Sequence, residues 1–318
     1  VLKPVFDSWK GIVVSNGLCP ALSKFNAYSM AQCALDEAVR NAICVGADPK
    51  SIVLLDNFCW PDPVFSQNGN QDGKHKLAQL VDACRGIYDA AIEYETPFIS
   101  GKDSMKNDFR FNKGNKTVKI SVPPTLLISA MGTIRDVRLA VTMEAKCPGD
   151  IVFVVGLTKN HLAGSIYASY FGGSGTPEVN LKNSKQLYEK IHSAIIEGLL
   201  SSCHDCSDGG LGVALAEVAF AGDLGMNVDL RPVPKEPNLN DHEILFSETP
   251  SRLVVTVPKS KQKAFEAKMA GTQFASVGLV NESKNLTLTL IGGKKKSFPL
   301  KNLKSAWKQP FGGNDGQN

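Results

Sequence analysis

Residues 203–221 read Cys-His-Asp-Cys-Ser-Asp-Gly-Gly-Leu-Gly, then Val-Ala-Leu-Ala-Glu-Val-Ala-Phe-Ala. No other stretch restricts the chain so much. Asp205, Ser207 and Asp208 stand just ahead of Gly209, Gly210 and Gly212, and a small apolar run suited to a helix spans 211–221. Glycines let a phosphate approach the backbone, and a helix start offers unpaired N–H groups and partial positive charge. With oxygen ligands beside it, such a turn suits a magnesium–phosphate site. A plainer reading fits the same residues: an ordinary helix capped by Ser207 or Asp208. The run is neither a Walker A loop nor a dinucleotide fingerprint, since Gly-Lys-Ser/Thr and the preceding strand context are missing.

The first half of the chain alternates strands and helices. Strands are expected at 11–15, 51–55, 97–100, 118–122 and 125–131, with helices at 30–45 and 76–95. Met30, Ala34, Ala38 and Ala42 share one helix face, and Glu37 and Asn41 lie at i, i+4 on a neighbouring one, so their oxygens can converge. Two polar clusters are expected at strand ends, Asp56-Asn57 and Gly101-Lys102-Asp103-Ser104-Met105, where α/β folds gather ligands. Residues 106–117 read as a loop. A boundary falls near Cys147-Pro148-Gly149-Asp150, dividing a domain at 1–146 from one at 147–309, with a disordered tail at 310–318. The second part reads as strands at 151–155, 227–230, 252–257, 275–280 and 286–291, and helices at 184–199, 211–221 and 259–270.

At 318 residues the chain is long enough for two cores. The net charge of +4 is scattered, and Lys294-Lys295-Lys296 reads as a solvated turn, so no nucleic-acid partner is expected. No apolar run reaches membrane-spanning length, so no membrane partner is expected either. The start lacks a signal-peptide layout and a Met, as in a piece of a longer polypeptide. The eight cysteines lie mostly in apolar contexts, which fits free thiols in a reducing cytoplasm. Cys203-His204-Asp205-Cys206 is formally a C-x-x-C, but a zinc site wants a second ligand pair that the sequence does not offer.

Separated segments then converge on one family. Glu37-Ala-Val-Arg-Asn41, Gly46-Ala-Asp48-Pro49, Leu55-Asp56-Asn57-Phe58, Gly101-Lys102-Asp103-Ser104-Met105, His204-Asp205-x-Ser207-Asp208-Gly209-Gly210-Leu211 and Leu245-Phe246-Ser247-Glu248-x-x-Ser251-Arg252 resemble the aminoimidazole ribonucleotide synthetase superfamily. More narrowly they resemble the second synthetase-like half of its glutamine-dependent amidotransferase branch. The resemblance implies an N-terminal α/β domain whose sheet pairs with a second half, and a C-terminal α+β domain. It implies an ATP- and glutamine-dependent ligase that turns formylglycinamide ribonucleotide into its amidine in purine synthesis. ATP and Mg2+ are the implied cofactors. The implied partners are a first synthetase-like half that carries the catalytic His, and a glutaminase domain or subunit. A homodimer is expected of the isolated chain.

By the same resemblance Asp56 and Gly101 contact ATP, Ser104 contacts substrate, and Lys102 neutralises phosphate charge. Glu37, Asn41 and Asp205 are the implied magnesium ligands of an auxiliary nucleotide site, with Ser207 on the nucleotide. A further Asp of that site falls near Gly17, beside Asn16, where this chain has no carboxylate. Two other readings stay open: a stand-alone ATP-dependent synthetase or kinase of the superfamily, and a non-catalytic structural half.

Overall fold

A computed structural model describes residues 1–311. Six strands arise first: β1 (Gly11–Leu18), β2 (Val53–Cys59), β3 (Phe98–Ser104), β4 (Asp108–Lys113), β5 (Lys116–Ser121) and β6 (Thr125–Ile134). Four of them form a sheet in the order β1-β6-β2-β3, while β4 and β5 pair with each other. β2 and β3 run parallel, joined through the helix α2 (Gly73–Tyr94); β6 is antiparallel to both its neighbours. The helix α1 (Ala27–Cys44) is capped by Asn26, whose side chain accepts the Ser29 N–H at 3.0 Å. Along it Met30, Ala34, Ala38 and Ala42 are fully buried, as the spacing requires.

The remaining strands form one seven-stranded sheet: β7 (Ile151–Val155), β8 (Ser202–Asp205), β9 (Gly225–Asp229), β10 (Leu253–Val257), β11 (Phe274–Asn281), β12 (Asn285–Thr289) and β13 (Lys295–Pro299). Its order is β13-β12-β9-β11-β7-β10-β8, antiparallel except for β12 beside β9. Its helices are α3 (Ile166–Phe171), α4 (Leu181–Ile196), α5 (Gly210–Gly222), α6 (Asp241–Phe246), α7 (Gln262–Met269) and α8 (Leu300–Lys308). β7 is buried on both faces. Ile151, Phe153 and Val155 join a core that includes α1, and Val152 and Val154 join a second core with α5.

α1 belongs to both halves of this architecture. It packs on β1 and β6, on α2, on α4 and on β8, and fifteen of its eighteen residues are buried. The outer side of the first sheet is different: Val14, Leu18 and Met131 are exposed there.

The structure corrects several expectations. Residues 106–117 are no loop: β4 and β5 make a hairpin whose polar-apolar alternation, Asp108-Phe109-Arg110-Phe111, is a strand pattern among charges. β2 runs through Asp56-Asn57 instead of ending there, and β3 takes in Gly101 to Ser104 before it ends within its cluster. Neither Ser207 nor Asp208 caps α5; the cap position is Gly209, with no side-chain cap bond. Lys295 and Lys296 open β13 instead of lying in a solvated turn. Cys84 and Cys147 are exposed, whereas Cys33, Cys44, Cys203 and Cys206 are buried. Of the expected tail, Pro310 and Phe311 lie in a short 3-10 turn, and 312–318 fall outside the described residues.

Candidate functional site

A cleft of about 190 Å³ opens where α1, the end of β1 and the turn before α5 meet. Leu18, Cys19, Glu37, Arg40, Ser207, Asp208 and Glu248 are among its lining residues. β8 ends at Asp205, and the turn 206–208 reaches Gly209 at φ 78°, a left-handed conformation that glycine adopts freely. Its N–H then points at Glu248 Oε1, 2.8 Å away, and the Ile166 N–H at the start of α3 donates to the same oxygen at 2.9 Å. Burial pushes the Glu248 carboxyl up to about 7; these donors oppose the rise and nearby Asp208 adds to it. The loop that carries Glu248 is pinned by Arg252. That fully buried side chain donates to the carbonyls of Thr249 (3.0 Å) and Ser247 and to Thr158 Oγ1 (3.1 Å).

Arg40 is the cation of the cleft and only 3% exposed. Its Nη1 lies 2.5 Å from Asp36 Oδ2, its Nη2 donates to Ser207 Oγ at 3.1 Å, and its Nε stands 3.6 Å from Asp205 Oδ2. Asp36 is fully buried and also accepts from Tyr94 Oη (2.6 Å), Tyr188 Oη (2.6 Å) and Ser251 Oγ (3.0 Å). Asp205 accepts from Ser207 Oγ and faces His204 Nδ1 at 3.4 Å. Burial opposes its charge, but His204 and Arg40 outweigh that and hold the carboxyl well below the usual range. His204 Nε2 lies 2.8 Å from Glu217 Oε2, and Trp307 Nε1 of α8 donates to Glu217 Oε1 at 2.9 Å. Burial lowers the pKa of His204, yet Asp205 and Glu217 raise it to about 9.

Of the residues expected at an auxiliary site, Glu37, Ser207 and Asp205 are brought to this region. Glu37 Oε2 accepts the Leu18 N–H at 2.8 Å, and burial raises its pKa against the pull of Arg40. Asn41, one turn along α1, donates from Nδ2 to the Asn16 carbonyl at 3.1 Å. Both side chains tie β1 to α1. Between them Gly17 lies so close to the helix that a Cβ would overlap the Ala34 carbonyl and stand 2.6 Å from Ala38 N.

The set Glu37, Asn41 and Asp205 does not fit a magnesium ion as arranged. Asp205 is held by Ser207, His204 and Arg40, Glu37 Oε2 accepts the Leu18 N–H, Asn41 is tied to the Asn16 carbonyl, and position 17 has no room for a side chain. Among the described residues no group of three or more His, Cys, Asp or Glu side chains forms a metal cage.

Asp56, Gly101, Lys102 and Ser104 form a separate group. They lie on β2 and β3 in register, with Asp56 opposite Gly101, Asn57 opposite Lys102 and Cys59 opposite Ser104. The Asp56 carboxylate sits where a Cβ on Gly101 would be, so any other residue there would push that carboxylate aside. Burial raises the pKa of Asp56, and Asp103 adds to the rise. Ser104 Oγ donates to Asn107 Oδ1 at 3.2 Å, and Asn107 Nδ2 returns a bond to the Ser104 carbonyl at 2.7 Å. β1 and β3 are opposite edges of the four-stranded sheet, roughly 14 Å apart at the usual strand spacing. The two groups therefore make two sites.

Arg40, Asp36 and Glu248 took no role in the sequence reading. The signal within reach was the pair Asp36 and Arg40 at i, i+4 on a helix with so few other charges.

Two family models match the chain: AIR synthase related protein, N-terminal domain, over residues 3–134, and its C-terminal domain over residues 147–291. Phosphoribosylformylglycinamidine synthase subunit PurL of Methanocaldococcus jannaschii is 32% identical over 300 residues, which is 91% of this chain and 39% of that protein. The PurL subunit of Lactobacillus helveticus is 31% identical over 276 residues, 86% of this chain and 34% of its own. The solved structure of T. maritima PurL complexed with FGAR matches with a TM-score of 0.73 at 20% identity, over 93% of this chain and 46% of that one. A HypE–HypF complex chain matches with a TM-score of 0.68 at 18% identity, over 90% of each. These structures share the fold. The chain spans between a third and two fifths of the length of these curated relatives. With a match to each domain that together takes in most of its length, the chain belongs to the AIR synthase related protein family.

Proposed function

We propose that this chain acts as the second synthetase-like half of a phosphoribosylformylglycinamidine synthase. In that reading ATP activates the formamide oxygen of formylglycinamide ribonucleotide, and ammonia from glutamine displaces phosphate to give the amidine. An amide oxygen is a poor leaving group and phosphate a good one, so the protein's task is to align the γ-phosphate with that oxygen and exclude water. Asp56 and the Gly101 backbone would contact ATP, Lys102 would offset phosphate charge, and Ser104 would orient substrate. A first half would bring the catalytic His, and a glutaminase domain or subunit would supply ammonia. The α1–α5 cleft would be the auxiliary nucleotide site, with Ser207 on the nucleotide. The domain boundary is placed at 146/147 and the compartment is the cytoplasm, in keeping with the free thiols.

The observation that carries this reading is the close contact of the Asp56 carboxylate with Gly101 on a sheet edge, in a chain about 32% identical to PurL. Backbone left bare beside a carboxylate suits a nucleotide contact. The test is to assay the chain alone, and mixed with a first half and ammonium salt, for ATP-dependent amidine formation. Activity is expected only in the mixture. Robust turnover by the chain alone would favour a stand-alone synthetase, and none in the mixture a structural half.

A further inference from the structure

We infer that the buried guanidinium of Arg40 is the fixed cation of the α1–α5 cleft, and that the cleft holds no resident magnesium ion. A nucleotide entering it would then meet Arg40, Ser207 and the start of α5 without a bridging metal. This last clause rests on the nucleotide reading above; the claim about the metal does not.

Four observations carry the inference. First, Arg40 cannot move aside. It is 3% exposed, and its partner Asp36 is held by Tyr94, Tyr188 and Ser251 from three other segments. Second, it cannot shed its charge, because a guanidinium stays protonated. A divalent ion on Asp205 would share that carboxylate with a cation 3.6 Å from Oδ2, in surroundings that screen repulsion poorly. Third, both Asp205 oxygens are in use, Oδ2 by Ser207 and Oδ1 facing His204. Magnesium demands near-octahedral geometry with short bonds to free oxygens. Fourth, β1 approaches α1 so closely at Gly17 that no carboxylate can be added there, while Glu37 Oε2 and Asn41 Nδ2 are bonded to the backbone of that strand. The buried Nε of Arg40 makes no hydrogen bond and faces Asp205 as an ion pair only.

The experiment has two arms. In the first, MgCl2 is titrated calorimetrically into the wild-type chain, and melting temperature is followed in EDTA and in 10 mM MgCl2. No saturable heat and no shift are expected. A micromolar site that Asp205→Asn abolishes would overturn the inference. Removing the cation should open a vacancy that a metal can fill, so Mg2+ or Mn2+ should raise the melting temperature of Arg40→Gln by several degrees. Arg40→Lys, which keeps the charge and covers the case in which Arg40→Gln does not fold, should stay insensitive; a metal-dependent rise in Arg40→Lys equal to that expected of Arg40→Gln would also overturn it. In the second arm ADP is titrated in EDTA and in MgCl2, and equal affinities within twofold are expected. ADP binding that needs magnesium and disappears in Asp205→Asn would sink the inference. Absence of ADP binding in both buffers would sink the nucleotide reading and leave the first arm to decide the metal.

Discussion

His204 is a residue whose charge near neutral pH is set by its surroundings. It lies between Asp205 and Glu217, and its pKa rises from 6.5 to about 9. The sign of the linkage follows. The folded state holds the proton more tightly than the unfolded chain, so this stabilisation is complete below about pH 6.5 and is lost as pH rises through 9. It amounts to at most about 3 kcal/mol. The melting temperature should fall between pH 6.5 and 9, and His204→Gln should flatten that fall. Melts of both proteins across the window check it, and identical slopes would remove His204 from the account. The residue scale also shows why much of the site stayed hidden. Asp205, Ser207 and Glu37 announced themselves by type and by their neighbours in sequence. Asp36 did not, because its partners Tyr94, Tyr188 and Ser251 stand 58, 152 and 215 positions away and only folding brings them near.

Elements were legible where one period ran long enough. α1 and α4 carry clear 3.6-residue apolar stripes, and β7 is a continuous apolar run between turn residues. α3 and α6 have six residues each, too few for a period to emerge, and β8 has four. Within the β4–β5 hairpin β5 was expected, but β4 hid because its apolar side, Phe109 and Phe111, is exposed among charged residues. α8 hid because its apolar positions, Leu300, Leu303 and Trp307, are spread among three lysines. The joint between β1 and α1 was legible only as a missing carboxylate; its physical content is contact. Gly17→Ala should cost about 1–3 kcal/mol, as overpacking does, whereas Gly292→Ala, with open space around its Cβ, should change stability by less than about 0.5 kcal/mol. Urea denaturation of the two variants checks this, and equal small effects would mean that β1 can shift away from α1.

At the scale of the whole molecule, the outer side of the first sheet stands out. Val14, Leu18 and Met131 are exposed on it, while its other side is covered by α1. In the isolated chain this surface should self-associate. Light scattering at tens of micromolar should report a dimer, and Met131→Lys should return a monomer with an unchanged melting temperature. A clean wild-type monomer would count against the idea. The larger core runs across both family domains, and α1 within it is walled in by the first sheet, by α2 and by α4 and β8 of the second part. That placement limits how the molecule can move. Two-domain enzymes commonly open like a jaw about a flexible hinge. Here the same helix is the floor of one domain and the wall of the other, and swinging them apart would pull Asp36 and Arg40 from their partners and wet both. Entry to the cleft is therefore left to the short segments at its rim, which makes the cleft a keyhole.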